Sequence, residues 1–568
     1  MARPPRRNTI GTLTLLPRAV AGAAEERIRR EWLATPMHRW SLGGPKPKGL
    51  AARPRDARPP DRNAGARLLA GTFQFHGEAL ALGGGADPWS ALTPSRRFAE
   101  SLHAFGWMGD LLSVGEVGAR EALRLWLAWR RAFGRPNLFG WSGRALERRL
   151  FNQTCAVAAL SPLGSEAEGA LMLGDIARQA RHLAAQGSDA SRAAERWAAI
   201  ALAGAALAGP AGERLLGKAL AKLERTLPVA VLPDGVHADR SPQRGLELLF
   251  DLIALDDALS QRGRPAPVEV SRAIDRLTAA SRFFALGDGR LAAFQGGEAG
   301  RADWLAAALA LEDAPPAVPR SLSYGGYHRL KAGRIEVIAD TGAPASGVFS
   351  QAACAQPAAI EVVLEGRRLV RGCAWSTAAP PGSERFRLAR GASTLTLDDG
   401  SPGEPVEGFL AESLGARLAG GPSEMVLDRR ETDDAQWLDI THDGWAAAFG
   451  LSHTRRLFLD EIAGELRGED VVSQLRKRAG RRLVAVAIHF HLAPDVRASP
   501  AVDGKSVLIR APGSPGWRLR SDAGETAVEA SVLFEDGAPV STPQVVLRSH
   551  FHLASGGRIR WKLEPAAP

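Results

Sequence analysis

The sequence predicts an all-α domain followed by an all-β domain, on three observations. From Pro94 to Leu311 apolar residues recur at helical spacing, in runs such as REALRLWLAWRRAF, GRALERRLFNQTCAVAAL and AERWAAIALAGAALAG. From Ser323 onward the pattern changes to short alternating runs between Gly, Pro and Asp turns, among them RIEVIAD, STLTLDDG and RRLVAVAIHFHL. Between the two, Glu312 to Arg320 reads EDAPPAVPR, which is proline-rich and without periodicity. The chain therefore divides near residue 315.

Taken in order, residues 1–62 read as a solvated basic, Pro-rich leader, with MARPPRR and GGPKPKGLAARPRDARPPDR holding much of the positive charge. Within it Ile10 to Val20 is mildly apolar, but Thr, Gly and Pro17 break it and it is short for a signal core. Residues 63–314 read as serial helical hairpins, a pattern that suits an α/α toroid or bundle. Ser161-Pro162, Gly209-Pro210 and Leu227-Pro228 serve as stops and starts. Residues 315–322 form the linker, and residues 323–568 carry the β-sandwich signature.

At 568 residues the chain exceeds what one hydrophobic core organises, and 45% hydrophobic with 24% charged residues is ordinary for a globular protein. The formal charge of +10 favours polyanionic partners, although the leader holds much of the excess. Nucleic-acid binding would rest on that charge alone and is not expected. Cys155, Cys354 and Cys373 show neither CxxC nor Cys/His spacing, so reduced thiols are expected. No run approaches the ~18 apolar residues of a spanning helix, so no membrane span is expected and the chain reads as soluble. Oligomeric state is left open.

The most informative stretch is Val231 to Leu259, VLPDGVHADRSPQRGLELLFDLIALDDAL. A helix ends in a Pro-Asp-Gly turn, and a second starts with Ser241 as N-cap and Pro242 at the first helical position. The free amides of that helix end should point back toward His237, Asp239 and Arg240; with Arg240 and Arg244 nearby they would suit an anion. The alternative is a well-capped turn between two helices.

Six segments in order, WSGRALERRLFNQ, VLPDGVHADRSPQRGLELLFDL, YGGYHRLKAGRIEVIADTG, STLTLDDG, HDGWAAAFGLSHTRRLFLDEIAGELRGEDVV and IHFHLAPDV, resemble the heparinase II/III family of polysaccharide lyases. The similarity runs from about residue 70 to the end. It implies an incomplete α/α toroid stacked on an antiparallel β-sandwich, with an acidic polysaccharide in the cleft between them and cleavage by β-elimination. That reaction must neutralise a carboxylate, remove the C5 proton and protonate the leaving oxygen.

The resemblance makes His237 the candidate catalytic residue and Arg240 its partner for the anionic group. Tyr324 and Tyr327 are the only tyrosines, and Tyr327 is the candidate taken forward; the family's catalytic tyrosine would fall near Gln243 or Arg244. WAAIALAGAALAG stands where better-known lyases carry an Asn-His pair. Asp239, Arg244, Asn152, Trp107, Trp141, His442 and His453 are candidate substrate contacts. Family zinc positions read Ala352-Ala353-Cys354-Ala355-Gln356, Gly372-Cys373-Ala374 and Ala392-Ser393-Thr394, so no zinc or other cofactor is expected. His489-Phe490-His491 and His550-Phe551-His552 have the spacing of half a metal site, with strand patterning as the simpler account.

Two functions follow: a heparinase II/III-like lyase acting on an acidic, uronic-acid-containing polysaccharide, or a catalytically degenerate glycan-binding or cell-envelope-assembly protein with the same fold. Compartment stays open, since the N-terminus carries no clear signal peptide while the resemblance points to the periplasm.

Overall fold

The computed structural model describes residues 16–141, 143–186, 189–311, 317–475 and 482–566. Most of the apolar stretch Ile10 to Val20 lies outside the described residues, as do positions 312–316 of the linker. Part of the stretch expected as a solvated leader is helical, over Leu16–Ala34 and Pro36–Ser41. Ala19 on the first of these packs with Val406 and Leu410, which gives it an apolar anchor that basic composition concealed.

The helical half runs in hairpins through Glu116–Phe133, Gly143–Leu160, Glu166–Ala185, Ala193–Ala206, Pro210–Ala230, Pro242–Ser260 and Val268–Phe284. In Ala193–Ala206 every residue after the first is buried, because beyond Glu195 and Arg196 it is apolar on every face and sits among the other helices. A strand pair, Thr72–Phe75 with Glu78–Ala81, precedes the hairpins. No helix among the described residues is long and apolar enough to cross a membrane.

The C-terminal half is built on two large antiparallel sheets, with a small two-stranded pair, Gly403–Pro405 and Leu418–Gly420, beside them. The eight-stranded sheet runs, in spatial order, Met425–Glu431, Ala435–His442, Leu451–Asp460, Glu465–Gln474, Gly557–Pro565, Trp517–Ser521, Ser506–Arg510 and Arg497–Pro500. The other sheet includes Tyr327–Ala332, Ile335–Asp340, Ile360–Leu364, Leu483–Leu492 and Ala538–His552. Between the sheets lies one core, including Val337, Val362, Leu457, Ile488 and Leu547.

Tyr327, Ile338, Val363 and Ala392 belong instead to the core of the helical half. Strands Ile335–Asp340 and Ile360–Leu364 therefore have both faces covered, and all their residues are buried. Burying each additional aliphatic side chain is worth about 1.5–3 kcal/mol, so this continuous core fastens the two halves together.

Candidate functional site

The turn before the Pro242–Ser260 helix lies at the joint between the halves, and His237, Asp239 and Arg240 are all buried there. Pro242 occupies the first turn of the helix, with Ser241 at the N-cap. The Ser241 hydroxyl makes no capping bond; instead its backbone N–H donates to Asp239 Oδ1 at 3.0 Å. Asp239 thus stands where an external anion was expected.

Arg240 holds the joint. Its backbone is left-handed at φ 67°, and its guanidinium reaches across to the sandwich. Nε donates to Gly325 O at 2.7 Å, Nη1 to Gly342 O at 3.2 Å and Ala343 O at 3.0 Å, and Nη2 to Gly326 O at 3.0 Å and to the Asp340 carboxylate. A guanidinium has five N–H donors, and these contacts engage each of them. A Cβ on Gly342 would lie 2.6 Å from Nη2, so this approach requires glycine. Arg240 was expected to partner a ligand anion; here Asp340 and four carbonyls take that place.

Tyr327 completes the clamp. Its ring lies 4.8 Å from the Arg240 guanidinium carbon, and its hydroxyl donates to Arg240 O at 2.6 Å. Burial pushes its phenol well above the usual tyrosine range, outweighing the nearby guanidinium. A proton held there is poorly placed for transfer to or from a sugar.

His237 Nδ1 donates to Asp239 Oδ1 at 2.6 Å, while Nε2 lies 3.8 Å from Glu195 Oε1. Phe349, on the sandwich side, stands edge-on with its ring centroid 6.0 Å away. Arg244 pairs with Glu195 at 2.5 Å and with Asp239 at 3.2 Å, and Arg192 pairs with Glu147 at 2.5 Å. Burial alone would raise the Glu195 carboxyl, but the Arg244 and Arg192 guanidiniums hold it well below the usual range. Gln243, where a tyrosine was expected, is tied to Glu247 at 3.3 Å and accepts from the Glu298 N–H at 2.8 Å.

The joint therefore carries alternating charges, Glu147, Arg192, Glu195, Arg244 and Asp239, ending at His237. Sequence reasoning missed Glu147, Arg192 and Glu195. The only signal was charge set into apolar helices, as in the AERW that opens the Ala193–Ala206 helix.

The remaining candidates lie elsewhere. Trp107 and Trp141 were expected to line a cleft but are core residues, 2% and 1% exposed, with indole N–H groups donating to Leu102 O and Phe133 O. Asn152 donates to Ala104 O at 2.8 Å. His442 and His453 are buried inside the sandwich, 3.0 Å apart, and His453 Nε2 lies 2.7 Å from Asp470, which also accepts from Arg455 and Trp561. Burial lowers the pKa of both imidazoles, which favours a neutral polar network over substrate contact.

At the family's zinc positions, Gln295, Cys354, Gln356, Gly372, Trp375 and Ser393 line a cavity of about 10 Å3, room for roughly one water. Burial pushes the Cys354 thiol up to about 11 and the Cys373 thiol up to about 12. His491, 3.7 Å from Cys373 Sγ, has both nitrogens bonded, to Ser531 Oγ and Arg390 O. Zinc needs about four converging donors with thiols deprotonated, and this set does not fit it.

The Heparinase II/III-like C-terminal domain profile matches residues 314–562. Over 554 residues the chain is 48% identical to FtsZ-localized protein C of Caulobacter vibrioides, covering 97% of this chain and 96% of that one. The chain belongs to the heparinase II/III-like family. Its fold is similar to a crystal structure of heparinase III, with a TM-score of 0.67 and 13% identity over 85% of this chain and 80% of that one. A mutant of heparan sulfate lyase HepC from Pedobacter heparinus aligns at a TM-score of 0.57 and 16% identity, over 98% and 91% of the two chains. This heparinase II/III-like chain thus keeps the helical domain and antiparallel sheets of the fold, with a joint tied by its own charges.

Proposed function

We propose that this protein is a non-catalytic member of the heparinase II/III-like family, a glycan-binding or cell-envelope-assembly protein that acts without a metal. The observation that carries this reading is the Arg240 clamp: all five guanidinium donors and the Tyr327 hydroxyl are engaged within the protein. Neither group is free to bind a carboxylate or move a proton. The relative's name, FtsZ-localized protein C, supports placing the protein with FtsZ in the cell.

The test is incubation of the purified protein with heparin, heparan sulfate and alginate while following the ultraviolet absorbance of the C4–C5 double bond that β-elimination creates. The expected result is binding without any rise. Turnover would overturn the proposal and favour the lyase reading, in which His237, Arg240 and Tyr327 act on an acidic polysaccharide. One observation favours that second reading: His237 Nε2 is buried without a hydrogen-bond partner. If it is correct, His237→Ala abolishes the absorbance rise.

A further inference from the structure

The outer face of the eight-stranded sheet carries an open groove of about 740 Å3, far from the Arg240 clamp in sequence and on a different surface of the sandwich. Its size falls within the ~300–1,000 Å3 of known ligand sites. The strand register builds it. Arg430 pairs across the sheet with Trp437, Trp437 with Phe458, Phe458 with Arg467, Arg467 with Lys562, and Lys562 with Arg520. Because alternate residues of a strand share a face, these six side chains form one row across six strands. Five spacings of ~4.8 Å make that row about 24 Å long.

The two aromatic rings sit side by side in the row, with centroids 5.0 Å apart. Arg467 covers one side of Phe458 at 5.3 Å, leaving Trp437 as the outer ring of a tilted pair. The next row pairs Asp439 with Arg456, Arg456 with Glu469, and Glu469 with Arg560. The groove is lined by six cations, Arg430, Arg456, Arg467, Arg520, Arg560 and Lys562, against the carboxylates Asp439, Glu469 and Asp522. The five arginine side chains are each at least half exposed, from 52% to 62%. Their ion pairs are therefore solvent-screened and exchange readily for a ligand's carboxylates.

We propose that this groove is a binding site for an extended anionic oligosaccharide of the uronic-acid or sulfated class. Arg467, Lys562 and Arg520, at successive strand spacing, match a polymer with a charge on successive rings, and Trp437 with Phe458 offers an aromatic surface for a sugar face. Five of the six strands beneath the row are paired on both sides and only Met425–Glu431 is a sheet edge, so a ligand lying along the row meets side chains rather than free backbone. Side chains alone do the recognising. The inference rests on the glycan-binding reading above and adds to it a site away from the joint.

The experiment is calorimetric titration of the full chain with size-defined heparin and alginate oligosaccharides, and with poly-glutamate as a peptide of similar charge. The variants are Trp437→Ala, Trp437→Phe, Arg467→Gln and His237→Ala, each checked for an unchanged unfolding temperature. The expected result is oligosaccharide binding that weakens at least tenfold in Trp437→Ala and Arg467→Gln, recovers in Trp437→Phe, and is unaffected by His237→Ala. Equal affinity for poly-glutamate, or insensitivity to Trp437→Ala, overturns the site in favour of an acidic protein partner or diffuse charge. Binding lost only in His237→Ala overturns this site while leaving the glycan-binding reading intact. Absence of any oligosaccharide binding by the unmodified protein overturns both.

Discussion

Replacing Arg240 by alanine should loosen the joint between the two halves rather than remove a ligand contact. The substitution deletes five donors and leaves Asp340, 1% exposed, with only Gln295 Nε2 and the Gly342 N–H as partners. Removing one member of a buried ion pair costs about 3–5 kcal/mol, much of it from the charge left behind. Water entering the vacated space will satisfy some of the four carbonyls, so we take about 4 kcal/mol as the expected loss. For domains of 150–250 residues 1 kcal/mol corresponds to about 2–4 °C, giving a fall in Tm of about 8–16 °C. Arg240→Lys should recover little, since one ammonium cannot reach carbonyls arrayed around a planar fork. Differential scanning calorimetry measures the shift, and amide exchange over residues 321–345 locates it. A Tm within 2 °C of the parent, together with lost polysaccharide binding, would refute the clamp and restore Arg240 as a ligand contact.

The buried histidines should destabilise the protein as pH falls below about 6.5. Burial lowers His103, His182 and His328 to about 4 and His491 to about 3, against about 6.5 in an unfolded chain. A folded-state histidine pKa below the unfolded one means that the unfolded chain binds the extra proton as pH falls through about 6.5. Each such histidine then removes up to about 1.4 kcal/mol per pH unit down to its folded value. The urea midpoint should therefore drop between pH 7 and pH 5, and an equal or higher midpoint at pH 5 would contradict the assignment. For the cavity at the family's zinc positions, elemental analysis should find no stoichiometric zinc, and chelator should leave Tm unchanged. Cys354 and Cys373, buried with raised pKa values, should resist alkylation at pH 7 until the protein unfolds.

The two-part architecture could be read from the chain because periodicity is a local property. Helical spacing before residue 311 and alternation after residue 323 each reflect which face of an element meets a core. The helix beginning at Pro242 was read from its proline and serine, and the absence of a tyrosine after the DGVHADRSP turn needed only the residue order. Strand Ile335–Asp340 was read from the run RIEVIAD, but the burial of both its faces was not, since the cover on its second face comes from helices distant along the chain.

Partner choice could not be read in the same way. Arg240 was marked by its charge beside a helix N-terminus, which suggested an anion. Its carboxylate proved to be Asp340, 100 residues away, and no spacing rule links them. Trp107 and Trp141 were marked as sugar contacts by nearby turns, yet both indoles found carbonyls within the helical core. The Arg430 to Arg520 row is the converse case, six side chains unremarkable in their own strands and aligned only by sheet register. Sequence order settles which residues are present and how each element is patterned. Tertiary structure settles which charges meet, because that depends on contacts between segments distant along the chain.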